Sequence, residues 1–300
     1  LGFSGELVAC VLKYGVRLNH MEIGISTASY FSKLQIEDAV LDMGAHGVPV
    51  CEVFLNSFSE YDPAFVELLD ERIRRSNLRV FSIHPMSMQF EPQLFSVHPR
   101  QRDDAWHIFE QVLSDGKRLG ASHYVMHGPA RLFGGVKNIG LTRIAPILVE
   151  LSVLARQYGI QLTLENVSWC VFNEPEFGVR LLDAIDGDAL RFTLDVKQAV
   201  RSGHDPMEYI RAVGSRIVNV HLCDATQQEN DVARYAMPGA GNYNFVQMFD
   251  ELASFGYRGP AFIEVYSDMY RQIPELYESY ERMLAFYAQS KLAKEADFTT

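Results

Sequence analysis

Cysteine is scarce in this chain of 300 residues, which contains four: Cys10, Cys51, Cys170 and Cys223. They are far apart in sequence and form no Cys-x-x-Cys pair, so a dense disulfide framework is excluded. Scattered free thiols are typical of proteins in a reducing compartment. We therefore expect a cytoplasmic protein.

Long apolar runs and excess positive charge are also lacking. No stretch approaches the roughly 18 consecutive apolar residues that a membrane helix requires, so we expect no membrane partner. The formal net charge is -11 at pH 7. A charge of this sign repels phosphate backbones unless a local basic groove offsets it, so we expect no nucleic-acid partner.

The two ends of the chain differ from the segment between them. Residues 1–20 contain a short apolar run broken by Glu6 and Lys13 and lack a cleavage motif of small residues, so they make a poor signal peptide. Met21 precedes a strand-like segment, and we interpret residues 1–20 as an N-terminal extension, either native or artefactual. The polar tail 291–300 is expected to fray. Residues 21–290 form the expected domain.

Short apolar or β-branched runs alternate with amphipathic helical patterns throughout this domain. The strand-like runs are 21–25, 48–54, 79–84, 122–127, 160–165, 191–196, 216–222 and 260–265. Such alternation predicts parallel strands joined by right-handed helical crossovers. The first run is followed by GISTASYFS rather than a Gly-x-Gly-x-x-Gly turn, which disfavours an open dinucleotide-binding sheet. We predict a single-domain α/β protein, a (β/α)8 TIM barrel.

Glycines mark where several of the predicted helices end. Gly120, Gly159 and Gly256 each follow a helical pattern and precede a strand-like run. A residue at this position often adopts the left-handed conformation that ends a helix. We therefore predict helix stops at these three glycines.

Four metal-capable side chains end the last four strand-like runs in succession: Glu165, Asp195, His221 and Glu264. In a barrel the carboxyl ends of all strands meet at one opening. Three carboxylates and an imidazole gathered there would repel one another without a cation, so we predict one divalent metal ion. The ligand types suit Mn²⁺ or Zn²⁺, with Mg²⁺ and Co²⁺ as further options. A hydrogen-bonded polar plug without metal is the alternative.

Other polar residues near strand ends are candidates for binding the substrate. His84 and His127 would hydrogen bond to substrate oxygens or carry a proton, or else each would be satisfied by neighbouring backbone. Strand alternation would point Lys197 to the same face as Asp195, where it would bind a substrate anion or neutralise Asp195 or Glu165. Glu52 would contact the substrate or His84.

Several ordered motifs make the chain similar to the xylose-isomerase-like barrels, which include sugar epimerases, hydroxypyruvate isomerases, inosose dehydratases and endonuclease IV. The motifs are GISTASYF, CEVF, IHP, MHGP, LEN, LDVKQA, VNVHLCD, PGAGNYNF and GYRGPAFIEV. The resemblance extends from Met21 to about Glu264. It implies an eightfold barrel with a divalent metal bound by Glu165, Asp195, His221 and Glu264. It also implies that Glu165 and Glu264 remove and return the substrate proton beside the carbonyl.

Departures from this family pattern narrow the range of activities expected for the chain. Endonuclease IV and the ketose 3-epimerases carry a histidine where this chain has Gln198, and the epimerases carry a second glutamate where it has Val171. An Asp-x-His pair of endonuclease IV is replaced by Ala233, Arg234 and Tyr235. These differences, with the acidic charge, disfavour cleavage of abasic DNA and put ketohexose epimerisation in doubt.

The sequence thus predicts a metal-dependent isomerase or epimerase of a small sugar, sugar phosphate or polyhydroxy acid, which acts through an enediolate. A dehydratase of the inosose or dehydroshikimate type is the alternative; a phosphodiesterase or a non-catalytic binding protein fits the pattern less well. We expect catalysis by Glu165 and Glu264. The expected substrate-binding residues are Glu52, His84, His127, Trp169, Lys197, Gln198 and Arg234. Trp169 would otherwise pack in the core, and Arg234 is expected in a loop at the mouth, where its charge would otherwise be solvated. The aromatic-rich segment 275–289 would serve as a homo-oligomer interface or as a cover of the barrel.

Overall fold

Eight parallel strands close into a barrel surrounded by helices, which confirms the predicted single-domain (β/α)8 fold. The computed structural model describes residues 21–131, 140–185, 189–226, 234–291 and 293. The barrel strands are β1 (Ile23–Ser26), β2 (Val50–Leu55), β3 (Arg79–Pro85), β4 (His123–Met126), β5 (Gln161–Glu165), β6 (Arg191–Asp195), β7 (Ile217–Leu222) and β10 (Ala261–Ile263). Each overlaps one predicted run. The predicted extension 1–20 and most of the tail lie outside the described residues.

The barrel closes because β1 pairs with both β2 and β10. Ile23 lies opposite Ala261, and Ile25 lies opposite Cys51. Most strand residues are apolar because parallel strands are covered on both faces. The carboxyl ends of the barrel strands open at one end, called here the mouth, and this geometry brings together residues that are far apart in sequence.

The helices lie outside the barrel or in the loops that connect it. They are α1 (Ile36–Ala45), α2 (Pro63–Arg75), α3 (Glu91–Leu94), α4 (Pro99–Arg118), α5 (Leu141–Gln157), α6 (Pro175–Ala184), α7 (Val196–Arg201), α8 (Pro206–Val213), α9 (Phe245–Ser254) and α10 (Ile273–Gln289). Gly120, Gly159 and Gly256 have φ values of 80°, 78° and 74° just beyond α4, α5 and α9. The predicted left-handed helix stops are therefore confirmed.

The helix α10 covers the barrel, one of the two roles expected for segment 275–289. Its residues Leu276, Tyr280 and Met283 are buried, and α10 packs against β1 and α9. In the part of the chain that the structure describes, no helix combines the length and the apolar character needed to cross a bilayer.

An antiparallel hairpin and a short helix beside the predicted metal ligands were not predicted. An antiparallel hairpin of β8 (Asp224–Thr226) and β9 (Arg234–Ala236) follows β7, and the short helix α7 begins directly after β6. Three-residue strands and a six-residue helix are too short to produce a periodic pattern in sequence. Both elements lie beside the strand ends that carry the predicted metal ligands.

Candidate active site

The four predicted metal ligands lie side by side at the mouth. Glu165 and Asp195 are the last residues of β5 and β6, His221 lies near the end of β7, and Glu264 directly follows β10. These strands are neighbours in the closed barrel, and Asp195 lies opposite His221 in the β6–β7 ladder. The fold therefore brings the ligands together through strand order alone.

The imidazole of His221 is at the centre of this group. Its Nδ1 atom lies 3.7 Å from Oε1 of Glu165 and 3.7 Å from Oδ2 of Asp195, and it contacts Oε2 of Glu264. Each of the four residues offers one ligand atom within 4.8 Å of the others. Three of the residues are buried, and Glu264 is 12% exposed toward the mouth.

The protonation of these groups shows an electrostatic conflict. Burial disfavours the charged forms, but the neighbouring His127 lowers the pKa of Glu165, and His221 with Lys197 lowers the pKa of Glu264 to about 2. For Asp195, burial prevails over Lys197 and raises its pKa. The cluster thus resists holding all of its carboxylates ionised on its own, as expected of a site that is completed by a cation.

The polar atoms left without partners also fit a divalent cation. Among the described residues, Nδ1 of His221, Oδ2 of Asp195, and Oε2 of both Glu165 and Glu264 are buried without a hydrogen-bond partner. Leaving such atoms unpaired costs roughly 1–3 kcal/mol each. Oε2 of Glu165 lies close to two histidines, but not in hydrogen-bonding geometry. A cation bound by these residues would satisfy them, so the donor set fits the predicted metal.

Glu52 lies below the four ligands, inside the barrel. Its carboxylate accepts hydrogen bonds from Ser26 (3.1 Å), Ser82 (2.7 Å) and Asn219 (3.2 Å), and it lies 3.1 Å from Nε2 of His221. Burial disfavours its charge, but His221 outweighs burial and lowers its pKa, which favours the ionised form. Its oxygens are engaged inside the barrel, and the predicted contact of Glu52 with substrate or His84 stays a prediction.

The two predicted histidines flank the other side of Glu165. Nε2 of His127 lies 3.0 Å, and Nε2 of His84 lies 3.3 Å, from Oε2 of Glu165. Burial lowers the pKa of His84, but Glu165 and Glu52 outweigh it and raise the pKa to about 9. The ring of Trp169 meets the ring of His127 edge-on at 5.4 Å. The structure therefore places both histidines beside Glu165 and Trp169 beside His127, and their predicted contact with substrate stays a prediction.

Glu91 was missed by the sequence analysis. This buried residue begins α3, and its carboxylate accepts hydrogen bonds from the Tyr124 hydroxyl (3.0 Å) and from the backbone N–H groups of His127 (2.9 Å) and Gly128 (3.3 Å). Gly128 has a φ of 77°, which favours glycine at this turn. Glu91 thus fixes the backbone that carries His127. No sequence signal marks Glu91, because it lies within the loop beyond β3 rather than directly at the end of a strand.

Asp224 was quoted only as part of a motif, yet it organises the loop beyond the hairpin. Its carboxylate accepts hydrogen bonds from the backbone N–H groups of Ala225 (2.8 Å), Gly239 (3.0 Å), Gly241 (3.0 Å) and Tyr243 (3.1 Å). The glycines of PGAGNYNF allow this backbone to approach: a Cβ atom on Gly241 would lie 2.3 Å from Oδ1 of Asp224. Asp224 therefore ties the loop after β9 to the start of β8.

Lys197 and Gln198 lie in α7, so the argument from strand alternation was wrong for Lys197. Asp195 caps this helix through the backbone N–H of Gln198 (2.6 Å). Nζ of Lys197 nevertheless lies 3.8 Å from Asp195 and 3.8 Å from Glu264. Its predicted neutralisation of Asp195 fits this position, and its predicted binding of a substrate anion stays a prediction. The Gln198 side chain accepts hydrogen bonds from the backbone and hydroxyl of Ser168 (3.2 and 3.0 Å).

Arg234 begins β9, opposite Thr226, rather than lying in a loop. Its side chain lies outside the described part of the structure, and its predicted contact with substrate stays a prediction.

Residues 38–287 match the family described as the xylose isomerase-like TIM barrel. The chain belongs to this family. Inosose dehydratase of Geobacillus kaustophilus is 27% identical over 143 residues, which cover 43% of this chain and 44% of that enzyme. The sequence resemblance to this family is thereby confirmed.

Solved structures of related barrels superpose over most of the chain. A D-tagatose 3-epimerase-like protein has a TM-score of 0.74 at 20% identity, covering 89% of this chain and 97% of its own. A structure of the IOLI protein with a bound zinc atom has a TM-score of 0.70 at 16% identity, covering 90% and 99%. At these identities the similarity shows the fold, and the activity has to be argued from the site.

Proposed function

We propose that this protein is a divalent-metal-dependent isomerase or epimerase of a small sugar, sugar phosphate or polyhydroxy acid. The observation that carries the proposal is the convergence of Glu165, Asp195, His221 and Glu264, each with an unpartnered buried ligand atom. The site lies at the mouth of the barrel, where substrates of this fold bind. The 3-epimerases among the structurally similar barrels support the reaction class.

The cation would be held by Glu165, Asp195, His221 and Glu264, with Zn²⁺ and Mn²⁺ as the leading candidates. Zinc is supported by the zinc atom bound to the similar IOLI protein, and the oxygen-rich ligand set suits manganese. When bound, such an ion draws electron density from a hydroxy-carbonyl unit and stabilises negative charge on its oxygens.

Glu165 and Glu264 would move the proton. Both carboxylates border Nδ1 of His221, one at the end of β5 and the other directly after β10, so both would lie next to a substrate at the mouth. Their pKa values are held low by the neighbouring histidines and Lys197, so each begins as an ionised base. One carboxylate would remove the proton beside the carbonyl and hold it as a carboxylic acid. In an isomerisation that acid would return the proton to the neighbouring carbon. In an epimerisation the other carboxylate, after taking a proton from solvent, would deliver it to the opposite face while the first releases its proton to solvent.

His127 and Trp169 would bind the substrate beside Glu165, while His84, whose Nδ1 lies 3.0 Å from the backbone carbonyl of Pro85, would hold Glu165 in place. His127 is 16% exposed, and its Nδ1 atom has no hydrogen-bond partner among the described residues. That atom is therefore suited to a substrate hydroxyl. Burial of His84 against Glu165 fixes its ring at the wall of the pocket, while the edge-on contact with Trp169 holds His127 in place.

A dehydratase on the same scaffold is the second candidate. It is favoured by the match to inosose dehydratases and by Gln198, whose side-chain oxygen is taken by Ser168 where the epimerases carry a histidine. Elimination of water also begins with removal of a proton beside a carbonyl, so Glu165 and Glu264 would keep their roles.

Proton NMR in deuterium oxide tests the proposal and separates the two reactions. The protein, loaded in turn with Zn²⁺ and Mn²⁺, would be incubated with ketoses, their phosphates, polyhydroxy acids and inososes. Deuterium uptake beside the carbonyl together with a new isomer supports isomerisation, whereas a new enone signal supports dehydration. Removal of the metal by chelation should abolish either reaction. Turnover that survives complete metal removal, or no exchange in any compound, would contradict the proposal.

A further inference from the structure

Lys197 lies among the acidic groups of the site and is 3% exposed. Its Nζ atom lies 3.8 Å from Oδ2 of Asp195 and 3.8 Å from Oε1 of Glu264. These distances are too long for hydrogen bonds, so the ammonium acts on both carboxylates through its charge. Oδ2 of Asp195 is also the atom that lacks a hydrogen-bond partner and faces His221.

The position of Lys197 is fixed from two directions. Asp195 caps α7, and Lys197 is the second residue of this helix, so its backbone is set by the hydrogen bond from Gln198 to Asp195. On the other side, Nζ lies 4.4 Å from the centroid of the Tyr266 ring, at a distance typical of a cation–π contact. The ammonium is thus held close to the ligand carboxylates rather than free to move into solvent.

We infer that Lys197 is a built-in counter-cation, which stabilises the acidic cluster of the metal-free protein and weakens its affinity for a divalent ion. The inference rests on the proposed function, because it assumes that the cluster binds a metal. A fixed positive charge beside Asp195 and Glu264 offsets part of their negative charge before the metal ion binds. The same charge repels the metal ion once it is bound. The protein would therefore exchange its metal more readily than the same ligands would without the lysine.

Metal titration of charge-changing variants tests this inference. Calorimetry with Zn²⁺ and Mn²⁺, on protein stripped by chelation, would compare the unchanged chain with Lys197→Met. We expect Lys197→Met to bind either ion roughly tenfold or more tightly, and its metal-free form to melt about 5 °C or more lower. Saturating metal should recover most of that loss.

Two further variants separate charge from other effects. Lys117 is exposed and also lies over an aromatic ring, with Nζ 5.9 Å from the centroid of Tyr158, so Lys117→Met should change neither metal affinity nor the metal-free melting temperature. Lys197→Arg keeps the charge and should bind metal within about threefold of the unchanged chain. If Lys197→Met does not fold, Lys197→Arg still tests the inference. Metal binding by Lys197→Arg much tighter than by the unchanged chain would contradict the role of charge.

The outcomes distinguish the inference from the proposed function. If the unchanged chain binds one ion and Lys197→Met binds it with equal or lower affinity, the role of Lys197 is wrong while the metal site stands. If the unchanged chain binds neither ion in stoichiometric amount, both the inference and the proposed function fail.

Discussion

Nε2 of His221 lies 3.1 Å from Oε2 of Glu52 in the barrel interior, while Nδ1 of the same ring faces the acidic groups at the mouth. An ionised Glu52 accepts a hydrogen bond from Nε2–H. This contact orients the ring and fixes its tautomer, so that Nδ1 is the atom available to a cation. Carboxylate–histidine–metal arrangements of this kind raise the basicity of the ligand.

Glu52→Gln should therefore weaken metal binding without removing a ligand. Losing a carboxylate that orients a ligating histidine typically reduces metal affinity by about 10- to 100-fold, and calorimetric titration with Zn²⁺ would measure it. Glu176→Gln, an exposed change in α6, provides a control that should leave the affinity unaltered. Unchanged affinity in a folded Glu52→Gln protein would mean that His221 does not depend on Glu52 for its orientation.

Glu165→Gln and Glu264→Gln should each abolish proton exchange. The amide keeps the size of the side chain but removes the base, so the rate of deuterium uptake should fall by at least about 100-fold. The comparison must be made at saturating metal, since each change also removes a charged ligand. Exchange at an undiminished rate in either variant would assign the proton transfer to a different group. Glu176→Gln is again the matched control.

The positions of these residues could be predicted because their signal is local. Glu165, Asp195 and Glu264 each stand at the end of a strand-like run, and barrel geometry requires strand ends to meet. The contact between Glu91 and the backbone of His127 joins loops after different strands, and no spacing in the sequence encodes it. Lys197 was placed beside Asp195 for the wrong reason, because the chain turns into α7 immediately after β6.

Asp224→Asn should loosen the loop that follows the β8–β9 hairpin. The carboxylate accepts four backbone N–H groups, and an amide replaces one acceptor oxygen by a donor that faces Gly239 and Gly241 or Ala225 and Tyr243. We expect a loss of about 2–4 kcal/mol in the free energy of unfolding. Hydrogen exchange should become faster at Gly239, Gly241 and Tyr243. Retained protection there would show that other contacts hold the loop.

Asp115 provides a prediction about pH that does not involve the mouth. This residue lies in α4, is 8% exposed, and its Oδ2 atom has no hydrogen-bond partner among the described residues. Burial raises its pKa from the ordinary 3.8 to about 7, with Arg118 opposing the change. Ionising this carboxyl in the folded protein therefore costs free energy.

The direction of the pH dependence follows from the pKa values of Asp115 in the unfolded and the folded protein. Between about pH 4 and pH 7 the folded protein binds more protons at Asp115 than the unfolded chain does, so this group lowers stability as pH rises, and the loss is complete above pH 7. Asp115→Asn removes the penalty, whose upper limit is about 4 kcal/mol. We expect the variant to be more stable by about 2 kcal/mol at pH 8 and by little at pH 4.

Urea unfolding of Asp115→Asn and of the unchanged chain at pH 4, 6 and 8 would measure this dependence. Asp104→Asn changes an exposed carboxylate of the same helix and should give nearly the same difference at all three pH values. A gain for Asp115→Asn that does not grow with pH would mean that its carboxyl is solvated in solution. If the gain in the free energy of unfolding appears only at pH 6 and above, the Asp115 carboxyl ionises while it is buried in the packing face of α4. Burial rather than a charged neighbour would then set its pKa.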